Sequence, residues 1–147
     1  MRGVGGVTPQ GNLEVHERAV AAVRAREVPE DILAPGFCME NRVSAVTDYV
    51  YQGAMGWRDW MNDVFEVFAE DALYEVDELI AEGEDFIVAI SRITGYGARS
   101  RMPLELPWVD VKWFRNGKLT RAVGYRSRRE ALEAVGLEGS GPAPPRR

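Results

Sequence analysis

Between residues 57 and 70 the apolar side chains Trp57, Trp60, Met61, Val64, Phe65 and Phe68 fall at i, i+3, i+4, i+7, i+8 and i+11. That spacing is the stripe of a helix lying on a core, and it is the clearest helix signal in the chain. A second stripe, Val15, Ala19, Val20 and Val23, predicts a helix over residues 13–26, with Asn12 as its cap and Glu14 well placed in the first turn. Pro29 suits the first position of a short helix through Leu33, which Pro35 and Gly36 then stop. Residues 37–41 read as a short strand, and the polar stretch 42–56 reads as a long loop with turns.

After residue 70 the period shortens to that of strands, predicted over 72–80, 86–96, 102–114 and 118–126. Glu82 and Gly83 mark the first turn of this run, and Asn116-Gly117 marks a tight type I′ hairpin, because both central positions need positive φ. The run is therefore expected to be antiparallel. Pro103 and Pro107 each remove a ladder donor, so the first half of the third strand should be an edge or contain a bulge. Ser127 and Glu130 form a capping box for a last helix over 128–135, stopped by Gly136. Helices first, then consecutive strands and a closing helix, is the segregated order of an α+β fold.

Residues 1–11 and 139–147 are rich in Gly and Pro with almost nothing large to bury, and read as flexible tails around one domain spanning 12–138. The 147 residues, 46% of them hydrophobic, suffice for one real core. A net charge of −5 without a basic block argues against nucleic acid. No run of about 18 apolar residues offers a membrane span, and no signal-peptide pattern opens the chain, so a cytoplasmic protein is expected. Cys38 is the single cysteine, which excludes an internal disulfide and a thiolate metal site. One histidine and scattered acids lack metal-ligand spacing, and Gly3, Gly5 and Gly6 do not form a phosphate-binding turn. No cofactor and no metal are expected.

The order of elements, the run Trp-Phe-Arg-Asn-Gly-Lys at 113–118 leading into a strand, and the ending Arg-Arg-Glu-Ala-Leu-Glu-Ala-Val-Gly-Leu at 128–137 carry a resemblance. Over residues 12–137 the chain resembles the SnoaL-like branch of the nuclear-transport-factor-type cone superfamily, whose members include polyketide cyclases, steroid isomerases, epoxide hydrolases, dehydratases and many proteins of no known activity. The resemblance implies a curved antiparallel sheet wrapped around N-terminal helices, a pocket between them, and a homodimer through the outer sheet face. It does not assign a reaction. Where the isomerases carry their carboxylate base this chain places Asn41, and their two donors fall near Ala19 and Val109, so isomerase chemistry of that type is disfavoured. The arginine of the epoxide hydrolases matches Arg92, but Thr94 and either Gly124 or Ser127 stand where its aspartates belong. The dehydratase and cyclase branches lean on a pocket histidine or aspartate, and His16 lies in the first helix, at a surface or flank position.

Strand alternation puts Val88, Ile90, Arg92 and Thr94 on one face and Ile87, Ala89, Ser91 and Ile93 on the other. We take the Arg92 face to line the pocket, since a guanidinium in an apolar strand needs a carboxylate or a polar ligand. The plainer reading is a structural ion pair with Asp110, Glu75 or Asp77, or a side chain that reaches solvent. Asp110 is either a general base in an apolar wall or a carboxylate held by Arg92 or Lys112. Tyr51, Tyr49 and Asp48 lie in the loop that borders the pocket mouth in the superfamily, where a tyrosine can donate to a substrate oxygen or merely cover the core edge. Cys38 reads as a buried small hydrophobe rather than a nucleophile.

The candidate catalytic set is thus Asp110, Arg92 and Tyr51. The ligand-binding set is Met39, Asn41, Tyr49, Trp57, Trp60, Met61, Thr94 and Trp108, although most of the helix stripe is more simply explained as core. The expectation is a cytoplasmic homodimer that binds a small hydrophobic or carbonyl-containing molecule, with cofactor-free acid–base chemistry as its enzymatic form. The competing reading is a ligand carrier or a dimerising interaction domain without catalysis.

Overall fold

The computed structural model describes residues 9–43 and 49–137. Asp48 and most of the two expected tails lie outside the described residues. In chain order the elements are α1 (Pro9–Ala25), a 3₁₀ turn (Glu30–Ile32), β1 (Leu33–Arg42), β2 (Tyr49–Gln52), α2 (Gly53–Phe65), β3 (Leu73–Glu82), β4 (Phe86–Tyr96), β5 (Pro103–Arg115), β6 (Lys118–Tyr125) and α3 (Arg128–Ala134). The expected α+β class is what the structure has.

One six-stranded sheet runs in the order β2-β1-β6-β5-β4-β3. Strands β3 to β6 form the expected antiparallel meander. β1 joins it parallel to β6, with α2 and the later strands intervening, and β2 folds back antiparallel on β1. Asn116 and Gly117 take φ of 53° and 78°, as the hairpin required. The segment from Pro103 to Pro107 pairs only with β4, while β6 joins β5 from Val109 onward, so both prolines sit on an open edge where a missing donor costs nothing. Ser127 caps α3, its side chain accepting from the Glu130 N–H.

β2 stands within the stretch read as a loop, and α1 and α2 differ from the sequence reading at their ends. α1 starts at Pro9, so Asn12 lies inside the helix, and its Nδ2 donates to the Glu84 carbonyl at 2.7 Å instead of capping. α2 starts at Gly53 in place of residue 57. Gly56 lets it do so, since a Cβ there would stand 2.6 Å from the Tyr51 carbonyl carbon. α2 also ends at Phe65 in place of residue 70, because the next residues bond to the end of β4: Ala69 N–H to the Tyr96 carbonyl at 2.7 Å, and Ala98 N–H to the Val67 carbonyl at 2.9 Å.

The register defines two faces. Inward, against α1 and α2, point Met39 and Asn41 of β1, Ala122 and Gly124 of β6, Trp108, Asp110 and Lys112 of β5, Ile87, Ala89, Ser91 and Ile93 of β4, and Tyr74 of β3. On the outer face Val88, Val109, Val111, Val123 and Tyr125 pack beneath Ala131 and Leu132 of α3. The short closing helix thus seals an apolar strip of the convex side, while the long helices cover the concave side.

Candidate functional site

Between α1, α2 and the inner face lies a cavity of about 190 Å³. Ala19 and Val23 of α1 form one wall, Trp57, Trp60 and Val64 of α2 another, and Met39, Asn41, Tyr74, Trp108, Asp110, Lys112 and Ala122 the floor. The rings are fixed by one another: Trp57 meets Trp60 edge-on at 6.3 Å, Trp60 meets Trp108 edge-on at 6.4 Å, and Tyr74 stacks on Trp108 at 5.8 Å. Trp57 Nε1 donates to the Glu27 carbonyl at 3.1 Å, which satisfies its one polar atom. Gly124 makes room for this cluster, since a Cβ there would lie 3.1 Å from Trp108 Cδ1.

In this apolar box stands one ion pair. Asp110 and Lys112 are two residues apart on β5, hence on the same face, and Lys112 Nζ donates to Asp110 Oδ2. The two side chains are only 10% and 6% exposed. Burial alone would lower the Lys112 pKa, but the Asp110 carboxylate outweighs it and holds the ammonium above its usual range. Burial first, and the Asp110 charge among lesser causes, raise the Tyr74 phenol, which stays protonated. His16 of α1 is buried, and desolvation followed by the Lys112 charge lowers its pKa to about 3, so it is neutral at physiological pH. His16 Nδ1, Asn12 Oδ1 and Ser91 Oγ are buried without a hydrogen-bond partner, Ser91 lying near Tyr74 without hydrogen-bond geometry.

The structure divides the candidate residues. Met39, Asn41, Trp57, Trp60, Trp108 and Asp110 line the cavity. Arg92 does not: it lies on the outer face, ion-paired with Glu75 at 2.8 Å, Asp77 at 3.0 Å and, more loosely, Glu105 at 3.9 Å. The face assignment of β4 is therefore corrected. Its partner face, apolar except for Ser91, packs on the long helices, while the Arg92 face meets α3 at one end and water at the other. Thr94 shares the outer face and leaves the site with Arg92.

Tyr51 is also removed from the cavity, its hydroxyl donating to Asp63 Oδ2 at 2.7 Å, and burial together with that carboxylate raises its pKa. Tyr49 packs edge-on against Tyr51 at 4.6 Å and is half exposed, and Met61 is core. Cys38 is partly exposed rather than buried. Asn41 Oδ1 accepts from the Val43 N–H at 3.0 Å, closing a turn at the end of β1.

His16, expected at the surface, is buried instead. Asn12, His16, Ala19, Val20 and Val23 fall at i, i+4, i+7, i+8 and i+11, so the spacing that marked the apolar stripe also contained it. Tyr74 carried no such signal, since its place on the inner face follows from its register with Ile93, which only the folded sheet shows.

Among the described residues no group of three or more His, Cys, Asp or Glu side chains could hold a metal ion, and no helix is long and apolar enough to cross a membrane. What the arrangement offers chemically is a charged donor, a carboxylate and a protonated phenol within an aromatic cavity.

No protein-family profile matches the sequence, and no curated protein matches it significantly. Its fold, however, is well populated. TerC, crystallised with polyporic acid, superposes with a TM-score of 0.65 at 18% identity, over 84% of this chain and 98% of that one. A putative SnoaL-like polyketide cyclase from Jannaschia sp. CCS1 gives 0.60 at 16% identity, over 97% and 100%. A protein of ketosteroid isomerase-like fold from Catenulispora acidiphila, in complex with trimethylamine, gives 0.62 at 15% identity, over 84% and 93%. The chain has the NTF2-like α+β cone fold. The solved structures it resembles include the SnoaL-like proteins to which its sequence motifs pointed, and at these identities the likeness is one of fold.

Proposed function

We propose that the protein binds a small, mostly apolar, carbonyl-bearing molecule inside the cone and that Asp110 and Lys112 are the groups that act on it. The observation that carries this reading is the buried ion pair in the wall of an otherwise aromatic cavity. A charge pair is costly to keep away from water, and replacing it by apolar residues is often neutral or stabilising. The volume suits one or two fused rings, since a cavity of roughly 150 Å³ is enough for benzene. In the catalytic form, Asp110 removes a proton α to the ligand carbonyl and Lys112 stabilises the enolate oxygen, with no cofactor taking part. Lys112 replaces Arg92 as the cation of the candidate catalytic set.

Exchange of the α-protons of 1-indanone in D₂O, followed by NMR, tests this. The protein should accelerate exchange above the buffer rate, and the double variant Asp110→Leu/Lys112→Met, which strands no buried charge, should abolish the acceleration while the fold persists. Binding of 1-indanone without accelerated exchange would support the second reading, a ligand carrier, which the closure of Asp110 onto Lys112 favours. A homodimer in the cytoplasm completes the proposal. Exposed Leu73, Tyr96, Met102 and Leu104, near one another at the open end of β3, β4 and β5, supply apolar surface for an interface, and analytical ultracentrifugation would test it.

A further inference from the structure

We propose that the cavity selects neutral ligands carrying a hydrogen-bond acceptor, a carbonyl oxygen held by Lys112 Nζ, and rejects carboxylates of the same shape. This inference rests on the small-molecule reading above and specifies its ligand class. A buried lysine on its own invites an anion, but this one is already matched.

The ammonium has three N–H donors, and Asp110 is its one hydrogen-bond partner among the described residues, so donors remain for a ligand oxygen. Its charge, in contrast, is spent on Asp110. His16, the other basic group behind the wall, is neutral. Glu40 alternates with the inward Met39 and Asn41, so its ion pairs with Arg42 at 2.8 Å and Arg121 at 3.0 Å stand on the outer face and add no charge to the cavity. A carboxylate entering the cavity would therefore become a buried charge without a counter-ion, next to Asp110. A neutral carbonyl needs only a donor, and it leaves the ion pair closed. The aromatic walls of Trp60 and Trp108 then select for a flat ring system attached to that carbonyl.

Calorimetric titration of the whole protein at pH 7.5 with 1-indanone, indane and indane-1-carboxylate separates these terms, because the three share one ring frame. The ketone should bind about 10-fold or more tighter than the hydrocarbon, the effect of one hydrogen bond to a charged donor, and the carboxylate should bind weaker than both. The carbonyl stretch of ¹³C-labelled 1-indanone should move to lower wavenumber on binding. In the double variant Asp110→Leu/Lys112→Met, which leaves no unpaired charge, the ketone should lose its advantage over indane and the infrared shift should vanish. Equal affinity for ketone and hydrocarbon, or tightest binding of the carboxylate, would overturn the inference and leave an apolar binding cavity standing. Failure of all three ligands to bind would remove the small-molecule reading itself. The wild-type ranking decides the matter even where the variant does not fold.

Discussion

Lys112 and Asp110 face the same way because residues two apart on a strand must, and each is tolerable in the interior only because of the other. Removing one partner should therefore cost far more than removing both. Lys112→Met leaves a buried carboxylate and should destabilise the fold by about 3–5 kcal/mol, whereas Asp110→Leu/Lys112→Met should lie near wild type. Urea denaturation of the two singles and the double closes the cycle, and additive losses would show that the residues act independently.

His16 makes a second residue-scale prediction. Its folded pKa of about 3 lies below the ordinary value of 6.5, so between these two values the unfolded chain takes up a proton that the native chain refuses. The stability it permits is complete above pH 6.5 and falls as the pH drops toward 3, by up to about 1.4 kcal/mol per pH unit. Denaturation midpoints of His16→Leu should lack this one-proton slope, and an unchanged slope would assign it to carboxylates elsewhere.

Among the elements, those declared by local chemistry were the legible ones. The Asn116-Gly117 turn, the Ser127 cap and the stripe on α2 each encode their element within a few residues, and β4 was legible end to end at Phe86–Tyr96. The parts missed depend on distant partners. α2 stops early because residues 67–69 bond to the far end of β4, and β1 extends from Leu33 because β6 lies beside it, 80 and more residues later in the chain. The face of β4 was misassigned for the same reason. Alternation separates two faces but does not say which one the helices cover, and the outer apolar strip exists only because α3 returns to it. That return rests on a short helix, so its cap should matter. Ser127→Ala removes the acceptor for the Glu130 N–H and should cost about 1 kcal/mol. Faster amide exchange confined to α3 and the strands beneath it would accompany that loss, and global destabilisation without local exchange would contradict it.

At the scale of the whole molecule the question is whether the cone is hollow by function or by imperfect packing. Elsewhere the core is sealed from solvent, with Ile93, Leu119, Val111 and Val88 showing no exposed surface, so a hollow of about 190 Å³ stands out against the close packing usual of protein interiors. An empty cavity costs stability at about 24 cal/mol per Å³, and proteins commonly forgo stability at the places where they bind. Filling it should then separate the two properties. Ala122→Leu extends a buried floor residue of β6 into the space between Met39 and Lys112. It should raise the unfolding free energy by about 1–2 kcal/mol and abolish binding of 1-indanone, with unchanged far-ultraviolet circular dichroism. A variant that is less stable would mean that the walls already meet across the gap in solution. One that is more stable yet still binds would move the ligand out of the cone.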